Sequence, residues 1–120
     1  MSPCRLLVVD DDEHIRDALA DILSDEGYVV DTAIQGQDAL ERLRSTDTLP
    51  DLILLDLMMP VMDGTELLKR LKADPRLAGL PVVVLTAMGQ RATVTNANAV
   101  FAKPVDLNAL LEQIERLCRH

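Results

Sequence analysis

The chain has 120 residues, 48% of them hydrophobic, and a formal net charge of −8. That length holds one domain with one core, and that apolar content favours a folded globule over a disordered chain. The acidic excess, with no run of Lys or Arg, argues against direct binding to nucleic acid or to an anionic membrane, because both need a positive surface. It favours a basic or mixed-charge protein partner, or bound cations. The only aromatic residues are Tyr28 and Phe101, so Leu, Val, Ile, Ala and Met must build the core. Cys4 and Cys118 form no closely spaced metal or redox motif, and two free thiols in a reducing compartment are expected rather than a disulfide. Met1 to Arg5 lacks the apolar stretch of a signal peptide. No apolar run approaches the roughly 20 residues that span a bilayer, and a cytoplasmic protein away from the membrane is the expectation.

In chain order, Leu6 to Val9 is a compact apolar run that reads as a buried strand. Ile15, Ala18, Leu19, Ile22 and Leu23 recur at helical spacing and predict an amphipathic helix. A strand around Tyr28 to Asp31 and a weaker helix over Gly36 to Arg44 follow. Leu52 to Leu55 is a second solid apolar run. Leu67, Leu68 and Leu71 mark a helix that should stop before Pro75. The β-branched run Pro81 to Leu85 and the shorter Ala99 to Ala102 read as strands. Asp106 is a candidate N-cap for a last helix whose inner face is Leu107, Leu110, Leu111, Ile114 and Leu117. Strand and helix alternating in this way imply an α/β domain, a parallel sheet covered on both faces, with ligands expected beyond the carboxyl ends of the strands. No repeat or linker divides residues 1–120, so a single domain is expected.

Those strand ends gather a particular chemistry. The first runs into Asp10, Asp11 and Asp12, the third into Asp56, the fourth into Thr86 and the fifth into Lys103 and Pro104. Crowded carboxylates repel one another, and a hard divalent cation such as Mg²⁺ would make the cluster tolerable. Asp56 could then act as a nucleophile toward a phosphoryl group, with Lys103 and Thr86 binding its oxygens by charge and by hydroxyl hydrogen bond. Each residue also has a plainer role: Asp12 as a helix cap, Asp56 as a solvated strand end, Lys103 as a surface lysine, Thr86 as a β-former. The convergence on one sheet edge favours the chemical reading.

The segments LLVVDDDEHIR, DLILLDLMMPVMDGTELL, LPVVVLTA and FAKP together resemble the signature stretches of bacterial two-component response-regulator receiver domains, over essentially the whole chain. The resemblance implies a doubly wound, flavodoxin-like five-stranded parallel sheet of order 2-1-3-4-5 with five flanking helices. It implies Mg²⁺ held by Asp10, Asp11, Asp56 and the backbone carbonyl of Met58, with Asp11 the direct acidic ligand and Asp10 acting mainly through water. It makes Asp56 the phosphorylated residue, Thr86 and Lys103 the phosphoryl-binding and switch pair, and Pro104 a cis-proline candidate. Asp63 and Gly64 would close the loop after Asp56. The implied activity is that of a signalling switch rather than an enzyme with an external substrate. The implied partners are a histidine kinase or phosphotransfer protein and a downstream target or an effector domain outside these residues.

Two departures stand out. Residues 87–102 leave sixteen positions between Thr86 and Lys103, about five fewer than is usual in the family, or more than one helical turn. The shortfall falls on the fourth helix, where Gly89 and the β-branched Thr93, Val94 and Thr95 are poor helix formers. A shortened or irregular fourth helix is expected, with an altered output surface. The family's switch aromatic also has no counterpart three residues before the lysine, where Val100 stands; Phe101 is one place later and so on the opposite sheet face. A receiver fold working as an interaction module without phosphorylation is one alternative, and an aspartyl-nucleophile phosphohydrolase a remote one. Met58 stands where such hydrolases carry a second acid. Homodimerisation is left open.

Met58 and Met88 each lie two residues past a site residue, and neither side chain can hold a water for attack on an acyl phosphate. A phosphorylated form is therefore expected to be long-lived. Mass spectrometry after removal of phosphodonor should show slow decay, and loss within seconds without a phosphatase would contradict this.

Overall fold

The computed structural model describes residues 4–56, 64–86, 97–102 and 105–118. Five strands form one parallel sheet of order β2-β1-β3-β4-β5: β1 Arg5–Val9, β2 Val29–Ala33, β3 Leu52–Asp56, β4 Val82–Thr86 and β5 Ala99–Ala102. Four helices are present among the described residues: α1 Glu13–Asp25, α2 Gly36–Ser45, α3 Gly64–Ala73 and α4 Leu107–Cys118. The parallel sheet is the one expected from the alternating pattern, and its doubly wound, flavodoxin-like order is the one that the resemblance implied. The segment expected to hold a shortened fourth helix falls on residues 87–96, outside the described residues, as do Met58, Asp63, Met88, Lys103 and Pro104. Gly64, expected in a turn, opens α3.

The central strands are uninterrupted apolar runs because both faces are covered. Every residue of β3 and β4 is buried. One face of the sheet packs Leu7, Val9, Ile53, Leu55, Val82 and Val84 against Leu40 and Leu43 of α2 and Leu67 and Leu71 of α3. The other packs Leu6, Val8, Leu52, Leu54, Val83 and Leu85 against Leu19 and Leu23 of α1 and Leu110 and Ile114 of α4. Each fully buried Leu contributes roughly 1.5–3 kcal/mol relative to an exposed one. Val100 packs with the first layer and Phe101 with the second, so the two do occupy opposite faces.

The helical stripes are narrower than their spacing suggested. In α1 only Leu19 and Leu23 are buried; Ala18 is exposed, and Ile15 keeps 38% of its surface in water. Leu107, at the start of α4, is also exposed. The outer side of α1 carries Glu13, Asp17, Asp21 and Asp25 at four-residue intervals, all exposed. Like charges at that spacing destabilise a helix by a few tenths of a kcal/mol per pair, so packing against the sheet must hold α1 in place. Helix α2 has a distant brace at its carboxyl end, where Arg76 donates to the carbonyls of Leu43 (3.0 Å) and Thr46. Burial, reinforced by the nearby Glu115 and Glu26, raises the Tyr28 phenol above its ordinary pKa.

One expectation is corrected. Cys4 and Cys118 are not free thiols but a disulfide, with Cα atoms 6.0 Å apart and 114 positions of separation in sequence. The residue before β1 and the last residue of α4 meet at one edge of the α1–α4 layer, where both pack against its core. Their separation lies within the range a bridge can span, and only the folded topology brings them so close.

Candidate functional site

The site is built by strand register. Val9 pairs with both Ala33 and Leu55, and Asp56 pairs with Leu85. Parallel pairing at this level places Asp10, just past Val9, beside Asp56, with Thr86 one residue beyond Asp56's partner. Thr86 in turn pairs with Ala102, the residue that precedes Lys103 in sequence. Asp10, Asp56 and Thr86 are all buried, at 1%, 4% and 0% exposure, while Asp11 is exposed. Acids buried at a sheet edge are costly unless they are paired or hydrogen-bonded.

The loop between β1 and α1 is fixed by its own side chains. The amide of Asp10 donates to the carbonyl of Ala33 at 3.2 Å, tying the loop to the end of β2. Asp10 Oδ1 accepts from the amide of Asp12 at 2.9 Å. Asp12 caps α1 as expected, its Oδ1 accepting from the amides of His14 and Ile15 at 2.9 and 3.2 Å. Arg16 Nη1, one turn into the helix, donates to the carbonyl of Asp10 at 2.9 Å. Sequence reading did not single out Arg16; its signal was a lone cation in the first turns of a helix opened by three acids. The result is a braced loop rather than a loose one, and it sets the direction of the acidic side chains.

One carboxylate oxygen from each of Asp10, Asp11 and Asp56 lies within 4.8 Å of the other two. The structure thus brings together the three predicted acids and sets Thr86 at the same edge. The set fits a small hard cation: all the donors are carboxylate oxygens, few in number, and the exposed Asp11 leaves a side open to water. A second observation points the same way. The Thr86 hydroxyl is fully buried and has no hydrogen-bond partner among the described residues, a state that costs free energy unless an acceptor arrives.

Residues 6–115 match the response regulator receiver domain family. The chain is 36% identical over 120 residues to the DNA-binding dual master transcriptional regulator RpaA of Synechocystis sp., covering 96% of this chain and 49% of RpaA. It is 35% identical over 120 residues to the phosphate regulon transcriptional regulatory protein PhoB of Rhizobium meliloti, covering 96% of this chain and 52% of PhoB. It thus spans about half the length of these curated relatives. Among solved structures, the chemotaxis protein CheY4 of Vibrio cholerae superposes with a TM-score of 0.84 at 30% identity, covering 97% of this chain and 99% of that one. The signal receiver domain of a histidine kinase from Syntrophus aciditrophicus superposes with a TM-score of 0.87 at 32% identity, covering 96% and 89%. The cluster Asp10, Asp11 and Asp56 is the acidic triad typical of Mg²⁺ sites in such domains.

The unpartnered hydroxyl yields a direct test. Replacing Thr86 by Val removes it while keeping the branched shape, so Thr86→Val should raise stability to urea by about 1 kcal/mol. A loss of similar size would mean that the hydroxyl is satisfied in the folded protein.

Proposed function

The chain belongs to the response regulator receiver family, and from that premise we propose that it is a phosphorylation-driven signalling switch with Asp56 as the acceptor. The observation that carries this reading is the meeting of Asp10, Asp11 and Asp56 beside a buried Thr86 hydroxyl that has no partner among the described residues. A carboxylate oxygen of Asp56 attacks the phosphorus of a phosphohistidine on a partner histidine kinase or phosphotransfer protein. The phosphorus–nitrogen bond breaks, the imidazole keeps the electron pair and takes up a proton, and an acyl phosphate remains on Asp56.

The burial of Asp56 at the end of a rigid strand holds the nucleophile in one place, which lowers the entropic cost of the attack. The Thr86 hydroxyl, which has no partner among the described residues, would donate to a phosphoryl oxygen. Lys103, which follows Ala102 in sequence, would neutralise a second oxygen, and Pro104 after it is the cis-proline candidate. Asp10, Asp11, Asp56 and the backbone carbonyl of Met58 would hold Mg²⁺, whose charge offsets that of the carboxylates and of the incoming phosphoryl group. The group is transferred onto the chain's own side chain, so the reading is a switch and not an enzyme acting on an external substrate.

Output would pass to a protein target, or to an effector domain of the kind that could occupy the other half of relatives such as RpaA. The net charge of −8 opposes nucleic-acid contact by this domain itself. No helix among the described residues is long and apolar enough to cross a membrane, and a cytoplasmic site of action fits a histidine-kinase partner.

Intact mass after incubation with acetyl phosphate and Mg²⁺ tests the reading. One phosphoryl adduct is expected on the wild type, and none on Asp56→Asn or when Mg²⁺ is chelated. No adduct on folded wild-type protein with Mg²⁺ present would overturn it in favour of an interaction module working without phosphorylation.

A further inference from the structure

The disulfide lies at the opposite end of the sheet from the acidic cluster, before the first residue of β1, and plays no part in the chemistry above. Its two halves are anchored very differently. Cys4 is held by the sheet whether or not the bridge exists. Its carbonyl accepts from the amide of Val29 at 3.1 Å, and the next residue, Arg5, exchanges bonds with Asp51 on the other side, backbone to side chain at 2.8 Å and backbone to backbone at 2.7 Å. Cys118 is the last residue of α4, and that helix is secured by Leu110 and Ile114, both fully buried and one turn apart. The turn after Ile114 holds no fully buried side chain, though Leu117 and Cys118 pack at the margin of the core. Glu115 and Arg116 are exposed, and Leu117 and Cys118 are only half-buried. The bridge is therefore the one covalent hold on a turn that side-chain burial secures weakly.

Both cysteines are half-buried, so a dissolved thiolate has a route to the bond. The chain has no third cysteine with which the pair could exchange. We propose that Cys4 and Cys118 form a thiol–disulfide exchange site for low-molecular-weight thiols of the glutathione class, whose oxidised state clamps the last turn of α4 to the start of β1 and whose reduced state releases it. A thiolate attacks one sulfur and displaces the other as a cysteine thiolate, leaving a mixed disulfide. A second thiolate attacks that bond, the second cysteine leaves, and the external pair departs as its own disulfide. Two electrons pass to the protein and two protons complete its thiols. Re-oxidation by the external disulfide runs the same steps backwards. The state of the pair is written into the surface at the carboxyl end of α4, independently of whether Asp56 is phosphorylated.

The test equilibrates the full chain with graded ratios of reduced to oxidised glutathione, alkylates any thiols under denaturing conditions and weighs the intact protein. The unalkylated form should give way to the doubly alkylated form within the graded range. Hydrogen exchange of the two forms should then differ locally. Amides of residues 114–118 should exchange about ten-fold faster or more after reduction, while those of β3 and β4 keep their protection. The double variant Cys4→Ser/Cys118→Ser should match the reduced wild type. The proposal is overturned by both cysteines alkylating even after oxidised glutathione, by a bond that persists in the most reducing mixture, or by reduction that leaves exchange in the last turn unchanged. Loss of protection throughout the sheet, in either the reduced protein or the double variant, would also overturn it, because the bridge would then hold the whole fold rather than one turn.

Discussion

The constraint on which the rest depends is the parallel register of β1, β3 and β4. Val9 opposite Leu55 and Asp56 opposite Leu85 bring the strands to a common level, so the residues at their carboxyl ends arrive side by side. A slip of one residue in any of the three would turn its apolar side chains to the wrong layer, and both layers are packed with fully buried Leu, Val and Ile. The hydrophobic core therefore holds three mutually repelling carboxylates within 4.8 Å of one another. Carboxylates held this close favour the binding of positive charge.

Much of this could be read from the amino-acid sequence because the central strands are buried on both faces and so stand out as solid apolar runs. Where such a run breaks off abruptly into Asp10, Asp56 or Thr86, the strand end and its side chain are marked together. The helices were less exact. Ile15 and Ala18 repeat in phase with Leu19 and Leu23, yet they stay exposed, and periodicity carries no information about how wide a stripe the sheet covers. Contacts between distant parts of the chain were silent. Arg76 reaching the carboxyl end of α2 and the Cys4–Cys118 bridge each depend on the relative placement of elements, not on local composition.

The layout also separates the acidic cluster from the disulfide. The acidic cluster sits at the carboxyl ends of the strands and the disulfide at their amino ends, with α4 running between the two edges. Helix α4 is anchored in the middle by Leu110 and Ile114. Its first turn follows the β5 segment that leads toward Lys103, and its last turn carries Cys118. Helix α1 presents Glu13, Asp17, Asp21 and Asp25 to solvent along its outer side.

The central claim is that the register creates a cation site from Asp10, Asp11 and Asp56, and a Mg²⁺ titration followed by amide chemical shifts tests it most directly. The account predicts saturable shifts concentrated at residues 10–12, 56 and 86, abolished or weakened at least about ten-fold in Asp11→Asn while the sheet stays folded. Shifts that rise without saturation, spread over the acidic face of α1, or persist unchanged in Asp11→Asn would contradict it.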